Sequence, residues 1–273
     1  MSNDNLKKQY YNNNNVGIVN FTQGGGVDIP SALTSCEFDD YGKLKKIVIK
    51  DGVTSVPEYY QYHNNVLTYC SIPSSVTSIG TNAFASVGRF SNFTPTLSVL
   101  FDVSDINLSN ITPTTTFNNV FSSASLKGNL SIPNSLLSGA TSGYSSVCIS
   151  LFENAYAPNF SGDTFVLNVY ANNSIIPRGM LNFSDSYNTG SNGLRLTIHG
   201  TPTFLSAKSI CCSSGGTVTF IDCTTPPNAP AYDTSSTAAF YNFKGILYVP
   251  SSGLTAWKNK YTGIASQIQA IPT

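Results

Sequence analysis

The chain has 273 residues, 41% of them apolar, which is enough to fill the core of one large domain. Lys+Arg and Asp+Glu number 14 each, so the net charge is zero and only 10% of residues are charged, which argues against the clustered basic surface of a nucleic-acid binder. Polarity comes instead from 37 Ser, 27 Thr and 28 Asn, and this leaves few groups for acid-base chemistry.

Residues 1–26 read as a polar flexible arm, with Lys7 and Lys8 followed by Tyr10, Tyr11 and four consecutive Asn at 12–15. The start shows no apolar leader, so the product is expected to be unexported. No run approaches the roughly 18 to 20 apolar residues that span a bilayer, and no membrane insertion is expected. Gly24, Gly25 and Gly26 have no following Lys-Ser/Thr and read as a joint rather than a phosphate loop. Residues 27–43 then form an expected N-terminal cap. Within it Glu37, Asp39 and Asp40 lack the ligand rhythm of a calcium loop.

From residue 44 the chain repeats itself. Leu44, Ile47, Ile49, Val53 and Val56 recur as Leu67, Cys70, Ile72, Val76 and Ile79, each 23 residues later, and Phe84 anchors the second return arc. The alternating part sends every second side chain inward from a short strand, and the rest suits a loose or helical return. One such unit cannot bury its own apolar face, whereas stacked units share a core, which is the logic of a solenoid. The strand signature recurs at 97–103, 129–134, 164–170, 194–200, 217–223 and 245–250. Phe121, Phe152 and Leu181 with Phe183 stand in the arcs between. The expected fold over 44–250 is therefore a mostly β repeat solenoid with a parallel sheet and short helical or irregular return arcs. Eight strands at about 4.8 Å spacing give a stack roughly 35 to 40 Å long. Residues 251–273 read as a C-terminal cap, in which a helix over 254–261 lays Trp257 on the final coil and Ile268 and Ile271 form a last apolar segment.

The stretch Ile72-Pro-Ser-Ser-Val-Thr-Ser-Ile-Gly-Thr-Asn-Ala-Phe84 resembles a unit of the BspA-like leucine-rich repeats. Cys223-Thr-Thr-Pro-Pro227, Leu247-Tyr-Val-Pro250, Trp257-Lys258 and Ile268-Gln-Ala-Ile271 are similar to that family's closing segment. The likeness is carried by 44–84 and 217–273; 97–200 shows the strand signature with longer arcs, and 1–40 shows no match. The resemblance implies a leucine-rich-repeat scaffold for adhesion or protein interaction, at the surface of anaerobic gut bacteria and some protists, with no catalytic residue and no cofactor. Similar repeats occur in viruses of those hosts. With no leader in view, the expectation is a non-enzymatic virion structural or adhesion protein of a bacteriophage, made in the host cytoplasm. Its arm would hold other virion proteins and its solenoid would meet a host-surface protein or glycan. The alternative is a bacterial or protist adhesin or interaction module at the cell surface.

Chemistry-bearing residues are sparse. The two histidines, His63 beside Asn64 and Asn65 in a turn and His199 at a strand end before Gly200, have no nucleophile or metal partner nearby in sequence. Cys36, Cys70, Cys148, Cys211, Cys212 and Cys223 contain no CxxC pair and read as buried free thiols. Glu37, Glu58 and Glu153 are the only glutamates and stand in no catalytic motif. The Asn-x-Ser/Thr sequons are no more frequent than so much Asn, Ser and Thr produces by chance. Tyr10, Tyr11, Tyr59, Tyr60 and Tyr62, in the arm and first return arc, are the candidate interaction surface, since Tyr with Asn and Ser makes adaptable contacts. Against that, one or two of these rings can fill the core position that Phe84 holds in the next repeat.

Overall fold

The computed structural model describes residues 33–39, 44–88, 99–114, 116–142, 147–157, 162–183, 192–213, 215–229 and 238–273. The strands in chain order are β1 Leu33–Phe38, β2 Leu44–Ile49, β3 Ser55–Val56, β4 Tyr69–Ser71, β5 Ser78–Ile79, β6 Phe101–Asp102, β7 Leu126–Ile132 and β8 Phe165–Tyr170. They continue with β9 Ile175–Ile176, β10 Leu181–Phe183, β11 Leu194–His199, β12 Phe204–Leu205, β13 Ile210–Cys212, β14 Thr217–Phe220, β15 Ile246–Val249 and β16 Ile268–Ala270. Two helices, α1 Asn134–Leu137 and α2 Leu254–Lys260, accompany them.

Ten strands form one sheet in the order β1-β2-β4-β6-β7-β8-β11-β14-β15-β16. Only the β1–β2 pair is antiparallel; every other pairing is parallel. The eight strands from β2 to β15 fall in the eight segments that carry the alternating signature, because that pattern buries one side of each strand. In β11, Leu194, Leu196 and Ile198 are buried while Arg195 faces out; in β8, Phe165, Leu167 and Val169 are buried. Parallel neighbours cannot be joined by a tight hairpin, so each link is a full coil. A second set of short parallel pairs, β3 with β5, β9 with β12 and β10 with β13, lines the return side.

Some boundaries differ from the expected ones. Strand β7 starts at Leu126, three residues earlier than the alternation suggests, since Leu126 is itself buried and pairs with Phe101. Gly128 interrupts its alternation at φ +87°, a backbone region that glycine enters without strain. Asn134 leaves the sheet and opens α1. The 97–103 segment contributes only Phe101–Asp102, and β14 ends at Phe220 rather than running to Cys223.

One hydrophobic core runs the length of the stack, from Leu44 to Ile268. All the predicted repeat-core residues, Leu44, Ile47, Ile49, Leu67, Cys70, Ile72, Val76, Ile79 and Phe84, lie in it. Its axis is a column of rings. Phe84 stacks on Phe121 at 5.9 Å, Phe121 on Phe152 at 5.5 Å, and Phe152 on Phe183 at 5.4 Å between centroids. The column exists because the arcs run in register: Phe84 N–H donates to Val120 O, Phe121 N–H to Leu151 O and Phe152 N–H to Met180 O.

At the far end Trp257 closes the stack, as its place in the sequence suggests. It is fully buried, its ring centroid is 4.7 Å from that of Phe220, and its Nε1–H donates to Cys223 O at 2.9 Å. Tyr261 packs beside it and donates its hydroxyl to Pro227 O at 2.8 Å.

Candidate interaction surfaces

The solvent face of the sheet changes character along the stack. Toward the first strands it is charged. Glu37, Lys46, Tyr69, Asp102 and Lys127 stand side by side in register on β1, β2, β4, β6 and β7. Lys46 pairs with Glu37 at 3.1 Å and Lys127 with Asp163 at 3.5 Å. The first pair is exposed and the second half-buried at the surface, and such pairs add little to stability. The Tyr69 hydroxyl donates to Asp105, and that bond, with partial burial and the Asp105 charge, pushes the phenol up to about 12. Lys46, Tyr69, Asp102 and Lys127 of this row, with Val99 and Leu100, line a cleft of about 590 Å³.

Beyond Lys127 the same face is polar, with Arg195 the one further Lys or Arg on the strands up to β16. Ser131, Asn168, Thr197, Thr219, Tyr248 and Gln269 form one row across six strands. At the strand ends beside that row, Tyr170 and His199 are register partners whose rings stack at 4.6 Å and 13°. His199 Nε2 lies 3.2 Å from Asn168 Oδ1, which fixes the imidazole relative to the row. Ile221, whose N–H donates to Ile198 O, extends the apolar edge on the other side of His199; Ile221 and Tyr170 are both 45% exposed.

A third surface lies on the first return arc. Tyr59 and Tyr62 are 45% and 38% exposed and meet edge to face at 5.4 Å, with His63 3.9 Å from Tyr62. Tyr59 and His63 both have positive φ, 55° and 59°, which turns the chain sharply around the buried Tyr60. Tyr60 does not belong to the surface. It is 0% exposed, with its ring against Phe84 at 6.0 Å, because the arc needs an aromatic to start the column. Gln61 and Asn64 are buried as well, and the Asn64 amide ties them down by donating to Leu44 O at 2.8 Å and to Gln61 Oε1 at 2.7 Å. Tyr10 and Tyr11 lie outside the described residues.

The thiols are unpaired, and all but Cys36 are buried. Burial pushes Cys148 and Cys211 up to about 12 and Cys223 to about 11, and raises Cys70 and Cys212 further. Such thiols stay protonated and unreactive at neutral pH. Among the described residues no group of three or more His, Cys, Asp or Glu is placed to hold a metal ion, and no helix is long and apolar enough to cross a membrane.

The repeat geometry agrees with the comparison against known families. The model of the BspA type leucine rich repeat region matches residues 7–153, in six copies. The chain belongs to that family. Membership makes it a protein-interaction or adhesion module of a family that is typically non-enzymatic. The matched region begins at residue 7, inside the 1–40 stretch expected to show no match, and stops short of 217–273, the expected closing segment. Among the curated proteins nothing matches.

The Tyr170, His199 and Ile221 edge was not singled out from sequence. Its signal was a break in alternation at the strand ends, where Val169 and Tyr170, and Phe220 and Ile221, place two apolar residues in succession. The second of each pair must then face out.

Proposed function

We propose that the chain is a non-enzymatic display scaffold of a bacteriophage virion, carrying its solenoid outward to contact a host-surface protein or glycan. Residues 1–26 serve as the arm that joins it to other virion proteins. The observation that carries the adhesive part of this reading is the continuous, nearly uncharged row from Ser131 to Gln269 on a parallel sheet. A surface of hydroxyls and amides without a charge cluster suits hydrogen-bonded contact that varies little with salt. The virion setting is supported by the polar composition of 1–26 and by the occurrence of similar repeats in viruses of gut hosts. Tyr59, Tyr62 and His63 give a second contact point on the return side.

Particle incorporation tests the reading. Mass spectrometry of purified particles should find the chain at stoichiometric copy number, and deletion of 1–26 should abolish incorporation while the solenoid still folds. Unchanged incorporation of the deletion would overturn the anchoring role. Recovery of the chain from a bacterial or protist cell surface, and from no particle, would favour the adhesin setting instead.

A further inference from the structure

The face from β7 to β15 carries three kinds of group in fixed positions. The row Ser131, Asn168, Thr197, Thr219 and Tyr248 offers a hydroxyl or amide on each successive strand, at about 4.8 Å intervals. Beside it runs the edge of Tyr170, His199 and Ile221, partly apolar and partly aromatic. Ile132, the last residue of β7, pairs with Val169, so β7 ends beside this edge. The outward Lys and Arg residues of β7, β8, β11, β14 and β15 are Lys127, at the far end of β7 and paired with Asp163, and Arg195.

Three classes of partner can be weighed against this pattern. A polyanion needs several cations, whereas these strands carry Arg195 and Lys127, and the charge of Lys127 is balanced by Asp163. A protein partner of ordinary size buries about 1,600 Å² around an aromatic and aliphatic centre. Here the two exposed large apolar side chains, Tyr170 and Ile221, sit at the margin of the face, and its centre is made of Thr and Asn. A neutral saccharide has the complementary character: no charge, hydroxyls at its edges to exchange hydrogen bonds with the row, and C–H surfaces to lie on the apolar margin. Charge sets aside the polyanion, and the polar centre of the face sets aside the protein.

We propose that the solvent face of β7, β8, β11, β14 and β15 binds a neutral oligosaccharide, with Asn168, Thr197 and Thr219 hydrogen-bonding its hydroxyls and Tyr170 with Ile221 covering its C–H surface. This deepens the host-contact part of the function proposed above and rests on it. The Tyr170 and His199 rings stack on each other, and His199 Nε2 contacts Asn168 Oδ1 of the row at 3.2 Å. The binding surface is therefore largely formed before the ligand arrives, which lowers the cost of ordering it.

The test uses the full chain and a panel of neutral hexasaccharides (malto-, cello-, laminari- and mannohexaose) with a heparin fragment as the charged control, read by titration calorimetry. At least one neutral hexasaccharide should bind, with a constant that changes less than about twofold between low and high salt, and heparin should not. Tyr170→Ala and Thr197→Lys should each weaken binding about tenfold or more, whereas Tyr59→Ala should leave it unchanged. Tyr170→Phe, which keeps the stack, should retain it, so a folding failure of the alanine variant would be recognised. No binding across the panel, or binding indifferent to both Tyr170→Ala and Thr197→Lys, overturns the proposal. A chain that still adheres to host cells after periodate destroys their glycans overturns it while leaving the host-contact function standing; loss of adhesion with and without periodate would overturn that function too.

Discussion

The matched repeats end at residue 153 and the chain continues for another 120 residues, so the two regions can be compared directly. In the matched region the inner strands are irregular: β4 has three residues and β6 two, joined by a single register pair, Tyr69 with Asp102. In the region beyond it, β8 and β11 have six residues each and pair along their whole length. The part nearest the family consensus is thus not the part with the most regular sheet. In the unit 72–84, which resembles the family, Pro73, Ser74, Gly80 and Phe84 belong to the arc. The sheet depends only on apolar alternation, which Phe165-Val-Leu-Asn-Val and Leu194-Arg-Leu-Thr-Ile keep without the motif.

The surfaces follow the same division. Paired charges gather around Lys46, Asp102 and Lys127, and uncharged hydroxyls and amides occupy the rows beyond β7. What joins the regions is the ring column, since Phe152 touches Phe121 on one side and Phe183 on the other across the boundary.

Alkaline pH should give the largest effect and an unequal one. Burial raises the thiols of Cys70, Cys148, Cys211, Cys212 and Cys223 above the ordinary value of 9.0. The unfolded chain therefore releases protons that the native one keeps, and stability should be flat below about pH 9 and fall above it. Three of the five thiols lie beyond residue 153, so hydrogen exchange at high pH should loosen β13 and β14 before β2 and β4. Equal loosening would break the comparison.

Next comes Phe152→Ala, which removes the ring that bridges the regions and should cost about 3 to 5 kcal/mol in urea unfolding. A loss no greater than that of an exposed substitution would show that the column does not couple them. Trp257→Phe keeps much of the ring volume but leaves Cys223 O without its donor, for an expected loss of about 1 to 3 kcal/mol. Gly128→Ala, at the join of the irregular and regular sheet, forces a side chain to φ +87° beside Asp102 and Ser104. It should lower stability by about 1 to 3 kcal/mol. Smallest of all, Thr219→Val on the outer face should stay within about 0.5 kcal/mol while changing the surface chemistry.

Much of this architecture was legible in the sequence, for a physical reason. Alternation fixes which side chains turn inward, so Ile47, Ile49, Cys70 and Ile72 follow from spacing alone. The helix carrying Trp257 was visible from its 3.6-residue pattern. What spacing could not supply was the fate of neighbours in a tight arc: Tyr59, Tyr60 and Tyr62 look alike in sequence, yet the turn sends Tyr60 into the column and leaves the other two outside. Nor could it show that Tyr170, His199 and Ile221, 51 positions from first to last, meet at one edge, since that follows from the register of three coils of unequal length.

The central claim is that matched repeats and the region beyond them form one solenoid with one core. The single tryptophan tests it directly, because Trp257 lies at the far end and reports on that end alone. In Phe121→Ala, whose lesion lies inside the matched repeats, the urea midpoint read by Trp257 fluorescence should fall together with that read by far-ultraviolet circular dichroism, in one coincident transition. A Trp257 midpoint left at the wild-type value while the dichroism transition shifts would contradict it and show two bodies instead of one.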